Sequence, residues 1–323
     1  MISRNQASDK TDTTMKKNVL TMMAVVMMAL TACEKPILGD GDEYKIGNGN
    51  VTLAFSTTSG DVTTRSGGND AMANRAATRA TTGDLSAYFQ KINLMVFDDD
   101  GNKAFSSVKT YLATDENFGI VNLSLQEGVY TVVAVGHSSV RSATIKSPQM
   151  VQFTASDGEK LTDTFCYKGE LEIGEESELI ELAMHRVCAM VRFCLTDSVL
   201  PDAFARLKID YTGGSANFNP TTSEGTTKST QSENRARSES NEYRVYTFPY
   251  MAETGTLKMT LTALTADGST IGKSLVLENV PVTRNRITTY TGKFFEEGAG
   301  NITQSGFSFT VDGDWNGEDN HQF

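Results

Sequence analysis

Arg186-Val187-Cys188-Ala189-Met190-Val191-Arg192-Phe193-Cys194-Leu195 alternates along its whole length. In an extended chain, successive side chains point to opposite faces. Val187, Ala189, Val191, Phe193 and Leu195 then share one apolar face. Cys188, Met190, Arg192 and Cys194 share a mixed one. A strand with one apolar and one mixed face is the wall of a β-sandwich.

Working outward, apolar runs bounded by turn residues recur on both sides. They fall at 51–55, 92–97, 119–125, 129–135 and 179–184 before it, and at 205–211, 243–249, 257–264, 274–277 and 286–295 after it. Asp98-Asp99-Asp100-Gly101-Asn102 reads as a tight turn, because Asp and Asn tolerate left-handed backbone and Gly favours it. Gln126-Glu127-Gly128 reads as the turn of a hairpin between 119–125 and 129–135. Residues 59–83 and 213–242 are polar, with little to bury, and read as a mobile loop and a disordered excursion. The best short helical candidate is 85–92. Strands at this spacing predict an all-β chain of sandwiches. About 290 residues follow Cys33, which is enough for two separate cores. The expected division is an N-terminal β-sandwich over 51–184 and a C-terminal one over 185–323 that ends in a tail.

The start of the chain carries a different signal. Met15-Lys16-Lys17 is a short basic segment, 19–30 is apolar without a charge, and Leu30-Thr31-Ala32-Cys33 closes it. An apolar run of about a dozen residues suits a signal-peptide core and is too short for a membrane span, which needs roughly 20. A cysteine directly after Leu-Thr-Ala is similar to the bacterial lipobox, in which the thiol is acylated before cleavage. Residues 1–32 are therefore expected to be a lipoprotein signal peptide with its true start at Met15. Cys33 is the expected lipidation site, and 33–50 a Gly-rich tether.

Lys plus Arg number 29 and Asp plus Glu 40, a net charge of −11. Such a surface repels phosphate backbones, so no nucleic-acid partner is expected. Cys166, Cys188 and Cys194 are odd in number once Cys33 is committed, so at least one thiol stays free. Six residues of strand span roughly 20 Å, too far for Cys188 to bridge to Cys194. His137, His185 and His321 fall at no zinc or catalytic spacing. Asp98-x-Asp100-x-Asn102 begins like a calcium loop but has Lys103 at the sixth position and Lys109 at the twelfth, where Gly and Glu belong. No catalytic residue, metal or cofactor is expected. Trp315 and the aromatics of the second half could form a sugar platform, although most must be core.

In combination, four segments resemble the FimB-type fimbrial subunits and anchors of Bacteroidales, the fimbrillin superfamily. They are Leu30-Thr31-Ala32-Cys33, the strand Gly128-Val129-Tyr130-Thr131-Val132-Val133-Ala134-Val135-Gly136, the strand that opens at His185, and Val280-Pro281-Val282-Thr283-Arg284-Asn285-Arg286-Ile287 with the Thr288-Thr289-Tyr290-Thr291-Gly292 that follows. The resemblance spans nearly the whole mature chain and rests on structural motifs. It implies two tandem transthyretin-like β-sandwich domains and no catalysis. It also implies lipoprotein export, a place in the outer membrane or a surface fimbrium, and other fimbrial subunits as partners through strand exchange. Arg65, Arg75 and Arg79 lie in the polar loop as candidate processing sites for an Arg-specific protease. Phe307, Phe309 and Val311 alternate near the C-terminus as a candidate donor strand; the other reading makes them the closing strand of the second sandwich. The alternative function is a monomeric surface lipoprotein that binds a glycan or a host or bacterial surface protein.

Overall fold

The structure, a computed structural model, describes residues 49–57, 85–112, 118–154, 161–174, 178–295, 308–312 and 320–321. They form strands almost throughout. In the first half these are β1 (Gly49–Thr57), β2 (Lys91–Phe97), β3 (Lys103–Thr110), β4 (Ile120–Leu125), β5 (Gly128–His137), β6 (Thr144–Ser147), β7 (Met150–Gln152), β8 (Phe165–Ile173) and β9 (Glu178–Arg186). The second half opens with β10 (Ala189–Leu195), β11 (Arg206–Thr212), β12 (Gly214–Ser215), β13 (Asn217–Asn219), β14 (Glu224–Gly225) and β15 (Gln231–Ala236). It continues with β16 (Glu242–Pro249), β17 (Thr254–Leu264), β18 (Thr270–Thr283), β19 (Ile287–Gly292), β20 (Ser308–Asp312) and β21 (Asn320–His321). The candidate helix at 85–92 shrinks to one 3-10 turn, Leu85–Ala87.

In the first half a seven-stranded sheet runs β3-β2-β5-β8-β9-β1-β4. It wraps round its own core, so β1 and β4 pack across from β2, β5 and β8. In the second half a six-stranded sheet, β12-β16-β10-β19-β20-β21, faces a four-stranded one, β15-β11-β17-β18. Ala189, Val191, Phe193 and Leu195 of β10 point into the core between them, opposite Ile209, Leu261 and Val280. The chain is all-β and is built from sandwiched sheets, as its alternation predicts.

The expected hairpin at Gln126-Glu127-Gly128 does not form. β4 pairs with β1, whereas β5 pairs with β2 and β8. Burial explains the split. Val132, Val133, Ala134 and Val135 are all buried, so β5 must lie inside a sheet with layers on both faces. β4 alternates buried and exposed, which suits an edge. The turn therefore carries the chain from one side of the core to the other.

The 186–195 segment is also not one strand. β9 ends at Arg186 and β10 begins at Ala189. Between them Val187 N–H donates to Thr164 O at 2.9 Å, and Cys188 O accepts Asn285 N–H at 2.8 Å. These two residues hand the backbone from the sheet of one half to that of the other. Val187 accordingly packs with Cys188 and Met190 in a third, central cluster instead of the second core.

That central cluster corrects a further expectation. Residues 213–242 are not a disordered excursion; they form β12, β13, β14 and β15. β13 pairs with β7 from the first half, with Phe218 opposite Val151. Phe218 meets Phe248 at 4.6 Å between ring centroids, and Phe248 meets Phe153 at 5.9 Å. The segment's polar composition hid a few apolar anchors, Ala216 and Phe218 above all. Burying Phe218 contributes on the order of 2–3 kcal/mol, enough to order a short polar run around it.

Candidate functional site

β1 is the element with an unusual position. It lies between β9, to which it is parallel, and β4, to which it is antiparallel. Leu53 stands opposite Ile180 on one side and Val121 on the other. Val51, Leu53 and Phe55 are at most 3% exposed and fill the core against Leu123, Leu171 and Leu182. Thr52 faces outward, and its Oγ1 donates to Asn122 Oδ1 at 2.8 Å. Among the described residues β4 has no other ladder partner than β1. Withdrawing β1 would expose backbone donors and acceptors on both neighbours and empty three apolar pockets.

The sequence-derived sites divide around this strand. Cys33, Arg65, Arg75, Arg79, Phe307 and Trp315 lie outside the described residues. Phe309 and Val311 lie in β20, which pairs antiparallel with β19 and places them opposite Tyr290 and Thr288. On β20's other side is the two-residue strand β21.

The titratable groups are structural in geometry. The ring of His137 is buried, with Nε2 2.8 Å from Asn93 Oδ1, and Nδ1 accepts Ser139 N–H at 3.1 Å. Burial and then Lys91 lower its pKa to about 3. His185 Nε2 sits 3.0 Å from Ser223 Oγ, and burial followed by Arg284 lowers its pKa to about 4. All three described cysteines are free thiols, and burial raises the pKa of each. Asp98 closes the β2–β3 turn: its carboxylate accepts Asn102 N–H at 2.7 Å, and Gly101 takes φ +82°. Among the described residues no three His, Cys, Asp or Glu come together as a metal site.

The sequence reading missed one cluster. Arg186 donates from Nε to Asp163 Oδ1 at 2.7 Å, from Nη2 to Oδ2 at 2.9 Å and from Nη1 to Asn285 Oδ1 at 3.2 Å. Its guanidinium lies 4.6 Å over the Phe165 ring. This fork spans both halves at the crossing. Its partners stand 23 and 99 residues away in the chain, so no local spacing announces it.

These features define an all-β chain of sandwiched sheets whose first strand is clasped between two neighbours. The chain belongs to the family of unknown function DUF6562, which matches residues 43–322. No curated protein matches it. Among solved structures it is similar to a DUF1812 protein from Bacteroides thetaiotaomicron, at 12% identity over 84% of this chain and 98% of that one, with a TM-score of 0.47. A fimbrial assembly protein from Parabacteroides distasonis follows at 12% identity, 81% and 94% coverage and a TM-score of 0.39. The tip fimbrial protein Mfa3 from Porphyromonas gingivalis, truncated at its C-terminus, is similar at 10% identity, 81% and 99% coverage and a TM-score of 0.40.

Proposed function

We propose that this protein is a subunit or anchor of a cell-surface fimbrium, exported as a lipoprotein acylated on Cys33 and joined to its neighbours by strand exchange. The clasped position of β1 carries the reading. Val51, Leu53 and Phe55 together contribute on the order of 5–9 kcal/mol of apolar burial. A groove that has lost them is a strong template for another extended strand. The sequence after β1 contains Arg65, Arg75 and Arg79, where a cut would release β1 together with the lipid. An uncut chain keeps both and serves as an anchor. The proposed donor is β20, which pairs with β19 on one side and, among the described residues, with the two-residue β21 on the other.

The test compares protease-treated full-length protein with a chain ending at Gln304 on a non-denaturing gel. Ladders from the full-length protein and none from the truncation support the reading. Equal ladders from both would exclude β20 as donor. No ladder from either would favour a monomeric surface protein.

A further inference from the structure

The two halves repeat one arrangement of seven strands. In the first half the strand order is β3-β2-β5-β8 and then β9-β1-β4; in the second it is β15-β11-β17-β18, with β19-β10-β16 across the core. The match extends to direction. β1 runs parallel to β9 and antiparallel to β4, and β10 runs parallel to β19 and antiparallel to β16. β2 lies antiparallel between β3 and β5, as β11 does between β15 and β17. β5 pairs antiparallel with β8, as β17 does with β18. Each strand of one half therefore has a counterpart in the other.

The halves differ beside the last strand of each. β19 has β10 on one side and β20 on the other. β9 has β1 on one side. On its other side β8 joins it only where Phe165 faces Arg186 and Cys166 faces His185. Among the described residues, 178–183 of β9 have no ladder partner but β1. Leu179 in this stretch is 66% exposed. A free edge with an apolar side chain beside it is a template for an added strand. Within one chain β20 is engaged on β19, so the strand that completes β9 comes from a second copy.

We propose that residues 178–183 of β9 are a second acceptor edge, on which β20 of a second copy pairs antiparallel, as it does on β19. This edge is open with β1 in place. The contact therefore needs no cut and goes beyond the strand exchange proposed above. Overlaying the halves gives its register. Leu53 of β1 faces Ile180, and Phe193 of β10 faces Tyr290. Ile180 and Tyr290 are each partly buried against the core of their own half. On β19, Tyr290 faces Phe309, Thr289 faces Thr310 and Thr291 faces Ser308. On β9, Phe309 then falls opposite Ile180, Thr310 opposite Leu179 and Ser308 opposite Glu181. Donor strand and acceptor edge are different surfaces, so the contact is head to tail and can repeat from copy to copy.

Register can be read by disulfide trapping, because directly opposed residues come close enough to bridge. Two uncut chains, both with Cys33→Ser and Cys194→Ser, are mixed and oxidised. One carries Leu179→Cys. The other carries Ser308→Cys, Thr310→Cys or Asp312→Cys. Thr310→Cys should yield several-fold more mixed disulfide dimer than the other two. Moving the acceptor cysteine to Glu181, which is also exposed, should shift the preference to Ser308→Cys. Equal yields at all three positions, or no mixed dimer, overturn the edge on β9. A mixed dimer that forms only after cleavage within 59–83 puts the strand in the groove of β1; it overturns the second edge and leaves strand exchange standing.

Discussion

Cys33 has to supply a thiol if the lipobox is read correctly, since the acyl chain attaches to sulfur. Cys33→Ser should therefore leave the precursor uncleaved and without label when cells are fed a radioactive fatty acid; label retained on the serine variant would end the assignment. His185 carries a second expectation. Its pKa is about 4 when folded, because burial and Arg284 disfavour the charged ring, against about 6.5 when free. Between those values the unfolded chain binds more protons, so stability rises with pH. The stabilisation is complete above about 6.5, falls by on the order of 3 kcal/mol toward pH 4, and levels off below. His137, lowered to about 3 by burial and Lys91, pulls the same way. His185→Gln should make the fall in Tm between pH 6.5 and 4 shallower. An identical slope in the variant would show that His185 is solvated.

Among the elements, β10 shows how far local pattern reaches. Its alternation gave away both its conformation and its buried face, and Val191 is 1% exposed between Phe193 and Ala189. Val191→Asp should cost several kcal/mol through an unpaired buried charge and lower the Tm of the fold. A far-ultraviolet melt unchanged from the parent would mean that the faces are reversed. What the pattern could not convey was partnership. β4 and β5 are neighbours in sequence with a good turn between them, yet they join different partners, because ladder choice depends on which strand has two apolar faces. The clasp on β1 was legible only as one apolar strand followed by a long polar stretch. That it lies parallel to β9, more than a hundred residues away, has no local signature. β13 shows the opposite case, since two apolar anchors in a polar stretch suffice once the other half supplies β7 to pair with them.

At the scale of the whole molecule, the sequence suggests a division at 184/185, and the parts on either side of it share structure. The central cluster draws Val133, Val135, Val151 and Phe153 from the first half and Met190, Phe218, Phe248 and Ile287 from the second. β7 and β13 make one continuous ladder across the boundary, and the Arg186 fork bridges Asp163 to Asn285. Interfaces of this kind are buried like a core, so neither half can open without exposing apolar surface of the other. We therefore expect a single unfolding transition over 51–295, in which amides of β2 and β10 exchange with the same opening free energy. Phe218 is the residue on which the coupling should turn, because it fills the cluster and sits at the inter-half ladder. Phe218→Ala should remove about 3–5 kcal/mol. It should also separate the two sets of amides, with those of β10 exchanging through a lower-energy opening than those of β2. Hydrogen exchange followed by mass spectrometry reads both. If β2 and β10 already exchange through different openings in the unsubstituted protein, the halves are independent and the central cluster is only a contact surface.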